Sequence, residues 1–541
     1  MDFVSYFNYQ THETVMPATQ DGRELRRHAV AIVGGGPVGL ALALALARQG
    51  VRSVVFEADN SVCTGSRAGC LTSRTLEILE PLGAAASVMR QGLPWSEGWS
   101  YHRREEVLHL EVGQDPLATF PRLVNIQQCY IEQYLLDAIY AQYADCVDIR
   151  WQSRVETVHS SDDGSQLEIA TPKGRYNVTA DWLVAADGAH SLVRKAVGAR
   201  FVGTRYDGAY IIADIKMASD LPPGRRAWFD PPSNPGATLL LHKHRDDLWR
   251  FDYQLREDED PDEAVKPENV LERVSSHLAF MGETAPWQPV WISLYRASCL
   301  TLENYRYGRV LMAGDAAHLV PIFGVRGLNS GLEDVNNLAW KLAYTLRGWA
   351  QSGLLDSYTH ERLFATRENM RHASKSAEFM APPAPAFALM RSAVLGIAGR
   401  NPWIRSLIDP RQSTTVGYPD SALNQSLDEA QFVAGPAPGF AFLDGPLADG
   451  SPLCRHIGPD FTALVFDGPQ FEAQYSSGAH GTVRWRVVAA KADGPLGRRY
   501  DARPGTVYLF RPDGNLLARW RSAYAQTLNT AIDRCCNALQ E

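Results

Sequence analysis

The stretch HAVAIVGGGPVGLALALALARQGVRSVVFE, residues 28–57, decides the fold class of this chain. An apolar run at residues 28–33 predicts a buried strand, and three glycines follow it as a turn. An Ala- and Leu-rich segment predicts a helix that ends near Gly50, and residues 53–56 predict a second strand. This order of strand, glycine-rich turn, helix and strand is the βαβ unit of dinucleotide-binding folds.

Each glycine of this turn has a separate physical task. Gly34 makes the tight turn, Gly36 lets the backbone approach a pyrophosphate, and Gly39 allows close packing of helix on strand. Glu57 ends the second strand, where an acid accepts hydrogen bonds from ribose hydroxyls and disfavours a 2′-phosphate, which leaves NAD and FAD open. The predicted contacts of the turn are Gly34, Gly36, Pro37, Val38 and Gly39.

A second stretch, GRVLMAGDAAHLVPIFGVRGLNSGLEDVNNLAWKLA at residues 308–343, has a related pattern. Residues 310–313 predict a buried strand that ends at Gly314-Asp315, and a glycine-punctuated loop then enters a helix beginning near residues 329–332. Unpaired N–H groups and the positive end of the dipole make a helix start suitable for an anion. Taken alone, the stretch fits a cofactor pocket or a tight turn with a surface aspartate.

Three further segments carry polar residues at element ends. A buried strand at residues 182–186 runs into Asp187-Gly188, which either aims at a site or makes a simple turn into a helix. Arg67 lies in a loop of small residues, where a guanidinium could reach a phosphate. Gln128 stands near the start of an amphipathic helix predicted at residues 125–138, either as a contact or as a cap.

Residues 201–299 lack βαβ alternation and predict a separate, mostly antiparallel sheet. Tyr210, His242, His244, Arg250 and Tyr253 fall on its strands. Each of them alone is more typical of a sheet face than of a ligand contact. A sheet inserted between two nucleotide-binding halves is nevertheless where a substrate cavity forms.

Composition bounds the class of protein. The 541 residues are too many for one core and predict two or three domains. A net charge of −8 argues against nucleic-acid binding, and the apolar run at residues 38–47 is too short to cross a membrane. The eight cysteines have no metal-ligand spacing, so we expect no metal, reduced thiols and a cytoplasmic protein without a secretory signal.

In chain order, the glycine turn with Glu57, the Arg67 loop, Asp187-Gly188 and Gly314-Asp315 resemble the single-component flavoprotein aromatic hydroxylases. This is the family of p-hydroxybenzoate hydroxylase, phenol hydroxylase and 3-(3-hydroxyphenyl)propionate hydroxylase, and the resemblance covers about residues 28–380. Residues 505–514, GTVYLFRPDG, are similar to the thioredoxin-like appendage of the phenol hydroxylase branch. Because this region has no CxxC, a packing or homodimer role is expected there rather than a redox role.

The resemblance implies an α/β protein with a Rossmann-like FAD-binding domain, an inserted antiparallel substrate domain and a C-terminal thioredoxin-like domain. The implied divisions are an arm at 1–27, the FAD-binding domain at 28–200 and 300–380, the substrate domain at 201–299, a helical linker at 381–424 and the C-terminal domain at 425–541. NADH or NADPH is the implied co-substrate.

The resemblance also implies residue roles. The glycine turn and Glu57 would hold the FAD adenosine and pyrophosphate. Further FAD contacts would be Arg67, Gln128, Asp187, Gly188, Asp315, Gly327, Leu328 and Asn329. Arg250 would face the isoalloxazine ring and Pro321 would line the active site, with Tyr210 and His242 as candidate substrate-side residues.

The implied reaction is hydroxylation of a phenolic or related aromatic substrate with O2, through a flavin C4a-hydroperoxide. Epoxidation, Baeyer-Villiger or oxidative decarboxylation chemistry on the same fold stays open, and so does a flavin-binding module without activity. One loop departs from the family pattern, since residues 321–327 read PIFGVRG. Arg326 therefore lies either beside the flavin or substrate, or outward in solvent.

Overall fold

A computed structural model describes residues 3–321, 323–408, 414–426, 429–468, 474–478 and 481–537. Ile322 of the predicted flavin loop, and parts of the predicted 381–424 and 425–541 regions, lie outside the described residues. The described strands are, in chain order, β1 (Thr19–Gln20), β2 (Arg23–Val33), β3 (Ser53–Phe56), β4 (Cys70–Thr72), β5 (Leu93–Pro94), β6 (Glu97–His102), β7 (Glu105–Glu111), β8 (Leu123–Asn125), β9 (Val147–Arg150), β10 (Arg154–Ser161), β11 (Gly164–Thr171), β12 (Gly174–Ala185), β13 (Val202–Met217), β14 (Arg225–Phe229), β15 (Thr238–Lys243), β16 (Leu248–Gln254), β17 (Trp287–Thr301), β18 (Arg306–Tyr307), β19 (Val310–Met312), β20 (His318–Leu319), β21 (Phe461–Phe466), β22 (Gln474–Gly478), β23 (Gly481–Ala490), β24 (Val507–Phe510) and β25 (Leu516–Trp520).

The described α-helices are α1 (Pro37–Arg48), α2 (Ser73–Leu79), α3 (Ala85–Gln91), α4 (Gln128–Gln142), α5 (Leu192–Ala196), α6 (Pro261–Ala264), α7 (Pro267–Met281), α8 (Gly327–Leu346), α9 (Asp356–Met380), α10 (Pro385–Ala398), α11 (Pro495–Arg499) and α12 (Ala525–Cys536). Within the described part of the chain, no helix is long and apolar enough to cross a membrane.

A mixed sheet forms the nucleotide-binding half, in which β12, β2, β3 and β9 run parallel while β10, β11 and β12 pair antiparallel. Its strands lie in the order β10-β11-β12-β2-β3-β9, with β19 parallel to the end of β12. Helices α1 and α8 pack together beside it, and the Ala- and Leu-rich face of α1 is fully buried. The observed β3 and α1 match the predicted elements, so the βαβ unit predicted from residues 28–57 is present.

The starts of β2 and α8 differ from the predictions. Strand β2 begins at Arg23 rather than at residue 28, because its charged first residues pair with β1 and with the outer part of β12. These residues are largely exposed and therefore show no apolar pattern. Helix α8 begins at Gly327, ahead of residues 329–332. Its first turn contains glycine and therefore lacks the apolar periodicity by which a helix start is recognised in a sequence.

The inserted region forms a second, mostly antiparallel sheet in the order β20-β17-β13-β16-β15-β14-β6-β7. Strands β13 to β17 form the mostly antiparallel sheet predicted for residues 201–299, and Asp246 and Asp247 make the hairpin turn between β15 and β16 with positive φ. The hairpin of β6 and β7, from residues 97–111, was not predicted and joins through the parallel pair β14 and β6. One sheet face packs on α7 in an apolar core.

The C-terminal region forms a third sheet in the order β22-β23-β21-β24-β25. Its β24–β25 turn is joined to the nucleotide-binding half by buried charges. The Arg511 guanidinium lies 2.6 Å from Glu361 on α9, and the Glu361 carboxylate also lies 2.8 Å from Lys341 on α8. All three side chains are fully buried, so this junction is a packed interface.

Candidate active site

The parallel strands bring the predicted polar residues to one edge of the sheet. Strand register places Val33 beside Phe56 and beside Ala185, and Ala185 beside Met312. The residues that follow these four strand ends are the glycine turn, Glu57, Asp187 and Asp315. Ligands of parallel α/β sheets bind outside such carboxyl ends.

The three glycines of the first turn have different surroundings. Gly34 has φ +104°, and an added Cβ would lie 2.3 Å from the Ala186 carbonyl oxygen. A Cβ on Gly39 would lie 1.9 Å from the Gly34 carbonyl oxygen, so α1 packs directly on the turn. A Cβ on Gly36 would meet only Glu132, at 4.0 Å, so the N-terminus of α1 is open on that side. Pro37 and Val38 begin that helix.

The Glu57 carboxylate closes the turn from the neighbouring strand. It accepts hydrogen bonds from the backbone N–H groups of Gly35, at 2.6 Å, and Asp59, at 2.9 Å. Burial raises the pKa of Glu57, although these donors oppose the rise. The carboxylate thus holds the turn in shape while it stays partly exposed at the sheet edge.

Glu132 on α4 is a site residue that the sequence reading missed. It is 1% exposed and accepts hydrogen bonds from the Cys63 backbone, at 2.6 Å, and from the Gln128 amide, at 2.8 Å. Burial raises its pKa to about 7. Predicted Gln128 therefore contacts a buried acid beside Gly36, and their spacing of four residues on an amphipathic helix was the available signal.

The Arg67 loop is fixed to the inserted sheet. The Arg250 guanidinium donates to the Arg67 backbone carbonyl, and its Nε donates to Asp252 at 2.8 Å. The Ser66 hydroxyl lies 3.1 Å from the buried Asp214 carboxyl. The structure thus brings Arg67 and Arg250 together, with the Arg67 side chain left exposed.

Asp187 caps the short helix that follows it. Its Oδ2 accepts hydrogen bonds from the backbone N–H groups of Leu192, at 2.8 Å, and Val193, at 3.2 Å. Its Oδ1 is buried and has no hydrogen-bond partner among the described residues. One carboxylate oxygen of Asp187 therefore makes the turn into the helix, as the simple-turn alternative expects, and the other oxygen stays available to a ligand. Gly188 has φ +75° and open space around it.

Asp315 follows β19 and is exposed at the carboxyl edge of the sheet, which we call the nucleotide groove. Burial by the surrounding protein raises the pKa of Asp315, and the charges of His318 and Arg67 oppose that rise. The residue is still exposed on one side. Behind it, the buried Asp334 carboxylate accepts from Gly314 N at 2.9 Å and contacts His318 Nε2 at 2.7 Å. These contacts of Asp334 fix the turn that contains Asp315 to helix α8.

The start of α8 faces the same groove through its backbone. Gly327 has open space on its side-chain position, and the first-turn N–H groups of a helix lack intrahelical partners. The Asn329 side chain instead has a structural task, because it accepts from Thr75 Oγ1 at 2.6 Å and donates to the Cys70 carbonyl at 3.1 Å. Leu328 lies partly exposed between them.

The predicted substrate-side residues lie on one face of the inserted sheet. Register places His242 opposite Arg250, and the His242 ring lies 3.7 Å from Asp252. Burial, and then the charges of Arg225 and Arg250, lower the pKa of His242 well below its usual value, so the ring is neutral at pH 7. Tyr210 is 1% exposed on the same face.

The loop that departs from the family pattern packs on this face. The Phe323 ring meets Tyr210 edge-on at 5.4 Å, and Pro321 beside it is buried. Arg326 is 3% exposed and donates to the Phe323 carbonyl at 3.0 Å. The outward, solvent-facing alternative for Arg326 is therefore wrong.

The groove fits a dinucleotide with an anionic bridge. Open space at Gly36, Gly188 and Gly327 gives three places for backbone approach, and the Asp187 Oδ1 atom needs a donor. The starts of α1 and α8 supply N–H groups for negative charge. Among the described residues, no cluster of His, Cys, Asp and Glu could hold a metal ion.

Residues 27–373 match the protein family described as FAD binding domain. The chain belongs to this family. FAD is therefore its cofactor, and of the two dinucleotides that Glu57 left open, FAD occupies the family's site. The prediction of an FAD-binding protein is confirmed at this level.

Named relatives lie within the same group. The chain is 30% identical over 333 residues to 3-(3-hydroxy-phenyl)propionate/3-hydroxycinnamic acid hydroxylase of Mycolicibacterium smegmatis, covering 62% of this chain but only 58% of that protein. It is 28% identical to 6-methylpretetramide 4-monooxygenase of Streptomyces rimosus, over 96% of this chain and 94% of that protein. Both relatives are named as oxygen-inserting enzymes.

A solved structure matches nearly the whole chain. The flavin-dependent monooxygenase PieE, solved with FAD and substrate, aligns with a TM-score of 0.79 at 23% identity, covering 95% of this chain and 99% of PieE. At that identity the match shows the fold alone. The mixed α/β fold is thus that of FAD-dependent monooxygenases.

Proposed function

We propose that this protein is an FAD-dependent monooxygenase that uses NADH or NADPH and O2 to hydroxylate a phenolic or related aromatic ring. The observation that carries the proposal is the Arg250 hydrogen bond to the Arg67 loop, which joins the inserted sheet to the nucleotide groove. A binding module needs the groove alone. An enzyme that must hold a flavin against a substrate needs both parts fixed to each other.

Different residues of the groove would bind different parts of FAD. The Gly34–Gly39 turn, Glu57, Arg67 and Gln128 would hold the adenosine and pyrophosphate end, with Glu132 behind Gly36. Asp187-Gly188 and Asp315 would hold the ribityl chain and border the nicotinamide approach. When bound, FAD supplies the transfer of two electrons from NAD(P)H and of one oxygen atom from O2 to the substrate.

The start of α8 would lie at the flavin ring, where Gly327, Leu328 and Asn329 offer backbone N–H groups. A helix N-terminus stabilises nearby negative charge by about 0.3 to 2 kcal/mol. Arg250, Tyr210, His242 and Pro321 would border the aromatic substrate on the sheet side. The packed Phe323 and Tyr210 rings would exclude water from this side.

The domain divisions belong to the same proposal. The nucleotide-binding parts at 28–200 and 300–380 would form one domain, with the insert at 201–299 as the substrate domain. The region 425–541 would be a thioredoxin-like domain with a packing role, which the buried contacts of Arg511 and Asp513 support. A homodimer and a cytoplasmic location stay predictions.

The test is reconstitution of the purified protein with FAD, followed by a panel of phenols with NADH and NADPH. The proposal expects flavin absorbance, substrate-stimulated NAD(P)H consumption and a product with one added oxygen atom. Flavin binding with turnover of ketones or alkenes instead of phenols would move the assignment to Baeyer-Villiger or epoxidation chemistry. Flavin binding without stimulated turnover on any panel would contradict the enzyme proposal.

A further inference from the structure

The start of the predicted arm lies along the protein as an extended segment. Residues 4–14, which we call the strap, lie outside the described helices and strands. Val4 and Tyr6 are half-buried while Ser5 between them is exposed, as in an extended chain with one face against the protein. Thr14 at the other end is 3% exposed. The strap is therefore held by contacts with the rest of the chain and not by secondary structure of its own.

One end of the strap bridges the inserted sheet and α4. The Val4 backbone N–H donates to the Pro289 carbonyl on β17 at 2.9 Å. The Tyr130 hydroxyl on α4 donates to the Tyr6 carbonyl at 3.1 Å, and the Cys129 thiol contacts the Tyr6 hydroxyl at 3.7 Å. This end of the strap thus joins the substrate-side sheet to the first turn of α4.

The other end of the strap lies where β3 and β9 end. The His12 backbone N–H donates to the Asn60 carbonyl at 2.7 Å, and the His12 ring stacks on Trp151 with centroids 4.4 Å apart. The Thr14 hydroxyl donates to Gln152 at 2.6 Å. Because Trp151 and Gln152 directly follow β9, which pairs with β3, this end contacts two neighbouring strand ends of the nucleotide groove.

The Arg67 loop, residues 58–69, is supported by the same elements as the strap. Its Cys63 backbone N–H donates to the Glu132 carboxylate on α4 at 2.6 Å. Its Gly65 packs directly on β17, since an added Cβ there would overlap the Trp291 ring. The strap and the loop therefore share α4 and β17 as supports, and a hydrogen bond joins them directly.

The Arg67 loop needs such supports because it lies outside the described helices and strands. A segment without regular hydrogen bonding loses conformational entropy when it takes up one shape. Ligand affinity falls if that ordering has to accompany binding, and it rises if other contacts hold the shape beforehand. The strap supplies contacts of this kind at both ends of the loop's surroundings.

We propose that the strap is part of the FAD site, with Tyr6 as a positioning residue that holds the Arg67 loop in its cofactor-binding shape. Tyr6 acts through the first turn of α4, because Cys129 and Tyr130, which it contacts, precede by one turn the Glu132 carboxylate that holds the loop. This role rests on the placement of FAD against the Arg67 loop proposed above and requires no particular reaction.

Hydrogen exchange of the wild-type protein with and without FAD tests the strap without any substitution. Coupling between two sites is reciprocal, so a strap that favours bound FAD must itself be held more tightly when FAD is bound. Exchange of the strap peptide, which contains the Val4 and His12 N–H donors, should slow by about tenfold or more on FAD binding.

The β1–β2 hairpin is the internal control for this exchange measurement. Strand β1 pairs with β2 and both of its residues are exposed, so its exchange should be the same with and without FAD. Equal exchange of the strap in the two states would overturn the proposal.

Substitution of Tyr6 tests the positioning role. Tyr6→Ala removes a ring that packs on the core with its centroid 6.4 Å from that of Tyr130. It should raise the FAD dissociation constant, and the rate of FAD release from the folded holoenzyme, about tenfold. Tyr6→Phe keeps the ring and should stay within about threefold of the wild type. The fluorescence of released FAD measures both quantities.

Val15→Ala is the matched control, since Val15 directly follows the strap and is 70% exposed. It should release FAD at the wild-type rate. A purely structural role would make the Tyr6→Ala apoprotein less stable to urea yet leave FAD release from the folded holoenzyme unchanged, and that result would overturn the proposal. If Tyr6→Ala does not fold, the exchange measurement on the wild type still decides.

A different role of the strap would show in substrate kinetics. Unchanged FAD release in Tyr6→Ala together with a raised KM for the aromatic substrate would assign the strap to the inserted sheet, through the Val4 contact with Pro289. That outcome would also overturn the proposal.

The strap and the hydroxylase function can fail separately. FAD-dependent protection of the strap in a protein that hydroxylates no phenol would leave the role of the strap standing and overturn the hydroxylase. A working hydroxylase whose strap exchanges equally with and without FAD would do the reverse.

Discussion

The Arg250 guanidinium donates a hydrogen bond to the backbone carbonyl of Arg67 and at the same time contacts Asp252. One side chain thus fastens the FAD-side loop to the substrate-side sheet. Lysine has one ammonium group and cannot hold both partners in this geometry. We expect Arg250→Lys to raise the FAD dissociation constant about tenfold, measured by fluorescence titration of the apoprotein.

Arg245→Lys is the control for this prediction, since Arg245 lies in the exposed hairpin turn of the same sheet. It should bind FAD as the wild type does. Equal affinity of Arg250→Lys and wild type would show that the loop is held by other contacts.

Gly36→Ala separates folding from cofactor binding. An added methyl group meets no atom closer than 4.0 Å, so the unfolding free energy of the apoprotein should change by less than about 0.5 kcal/mol. The same methyl group would stand where the backbone approaches the pyrophosphate, so FAD affinity should fall at least about tenfold. Chemical denaturation and FAD titration measure the two effects.

Substitutions at two other glycines serve as controls for Gly36→Ala. Gly113→Ala, in open space on the surface, should change neither quantity, whereas Gly39→Ala should fail to fold because its Cβ would overlap the Gly34 carbonyl. Unchanged FAD affinity in Gly36→Ala would contradict the placement of the pyrophosphate.

The residues at the strand ends of the site could be predicted from the sequence because the patterns that mark them are local. The glycine turn, Glu57 and the strand ends at Asp187 and Asp315 each follow a short apolar strand, and parallel strands bring such ends to one edge. The partners of these residues were beyond a sequence reading. Glu132 lies one helix away from Gly36, and the hairpin at residues 97–111 joins the inserted sheet by a parallel pairing without a local pattern. Arg326 was undecided because burial depends on the packing of Phe323 against a distant strand.

Glu24 gives a pH-dependent prediction. Burial alone would raise its pKa, but hydrogen bonds from Arg150 and His28 outweigh burial and lower the pKa to about 2. A carboxylate whose folded pKa is lowered stabilises the fold above its unfolded pKa, near 4.5, and that stabilisation disappears as pH falls toward 2. Glu24→Gln should therefore lower the unfolding free energy at pH 7 by about 1 to 3 kcal/mol.

Urea denaturation of wild type and Glu24→Gln between pH 7 and pH 2 checks this sign. The difference between the two proteins should be constant above about pH 5 and should shrink below it. A difference that stays constant down to the lowest pH, or grows, would contradict the assigned contacts.

Arg511→Met tests the junction of the C-terminal region. The substitution leaves the carboxylates of Glu361 and Asp513 buried without their shared cation, and breaking such a buried pair costs about 3 to 5 kcal/mol. Thermal unfolding of the full chain and limited proteolysis of the C-terminal region should both report the loss. Arg498→Met, at an exposed position, is the control and should resemble the wild type. A stable Arg511→Met protein would mean that apolar packing alone holds the junction.

The most direct measurement of the central claim is isotope labelling of the product. The FAD-reconstituted protein is incubated with NAD(P)H and a phenolic compound that it converts, under isotopically labelled O2. The product is analysed by mass spectrometry. One labelled oxygen atom on the ring, with one NAD(P)H consumed for each product formed, is the predicted result. NAD(P)H oxidation that yields only hydrogen peroxide, or a product whose new oxygen comes from water, would contradict the account.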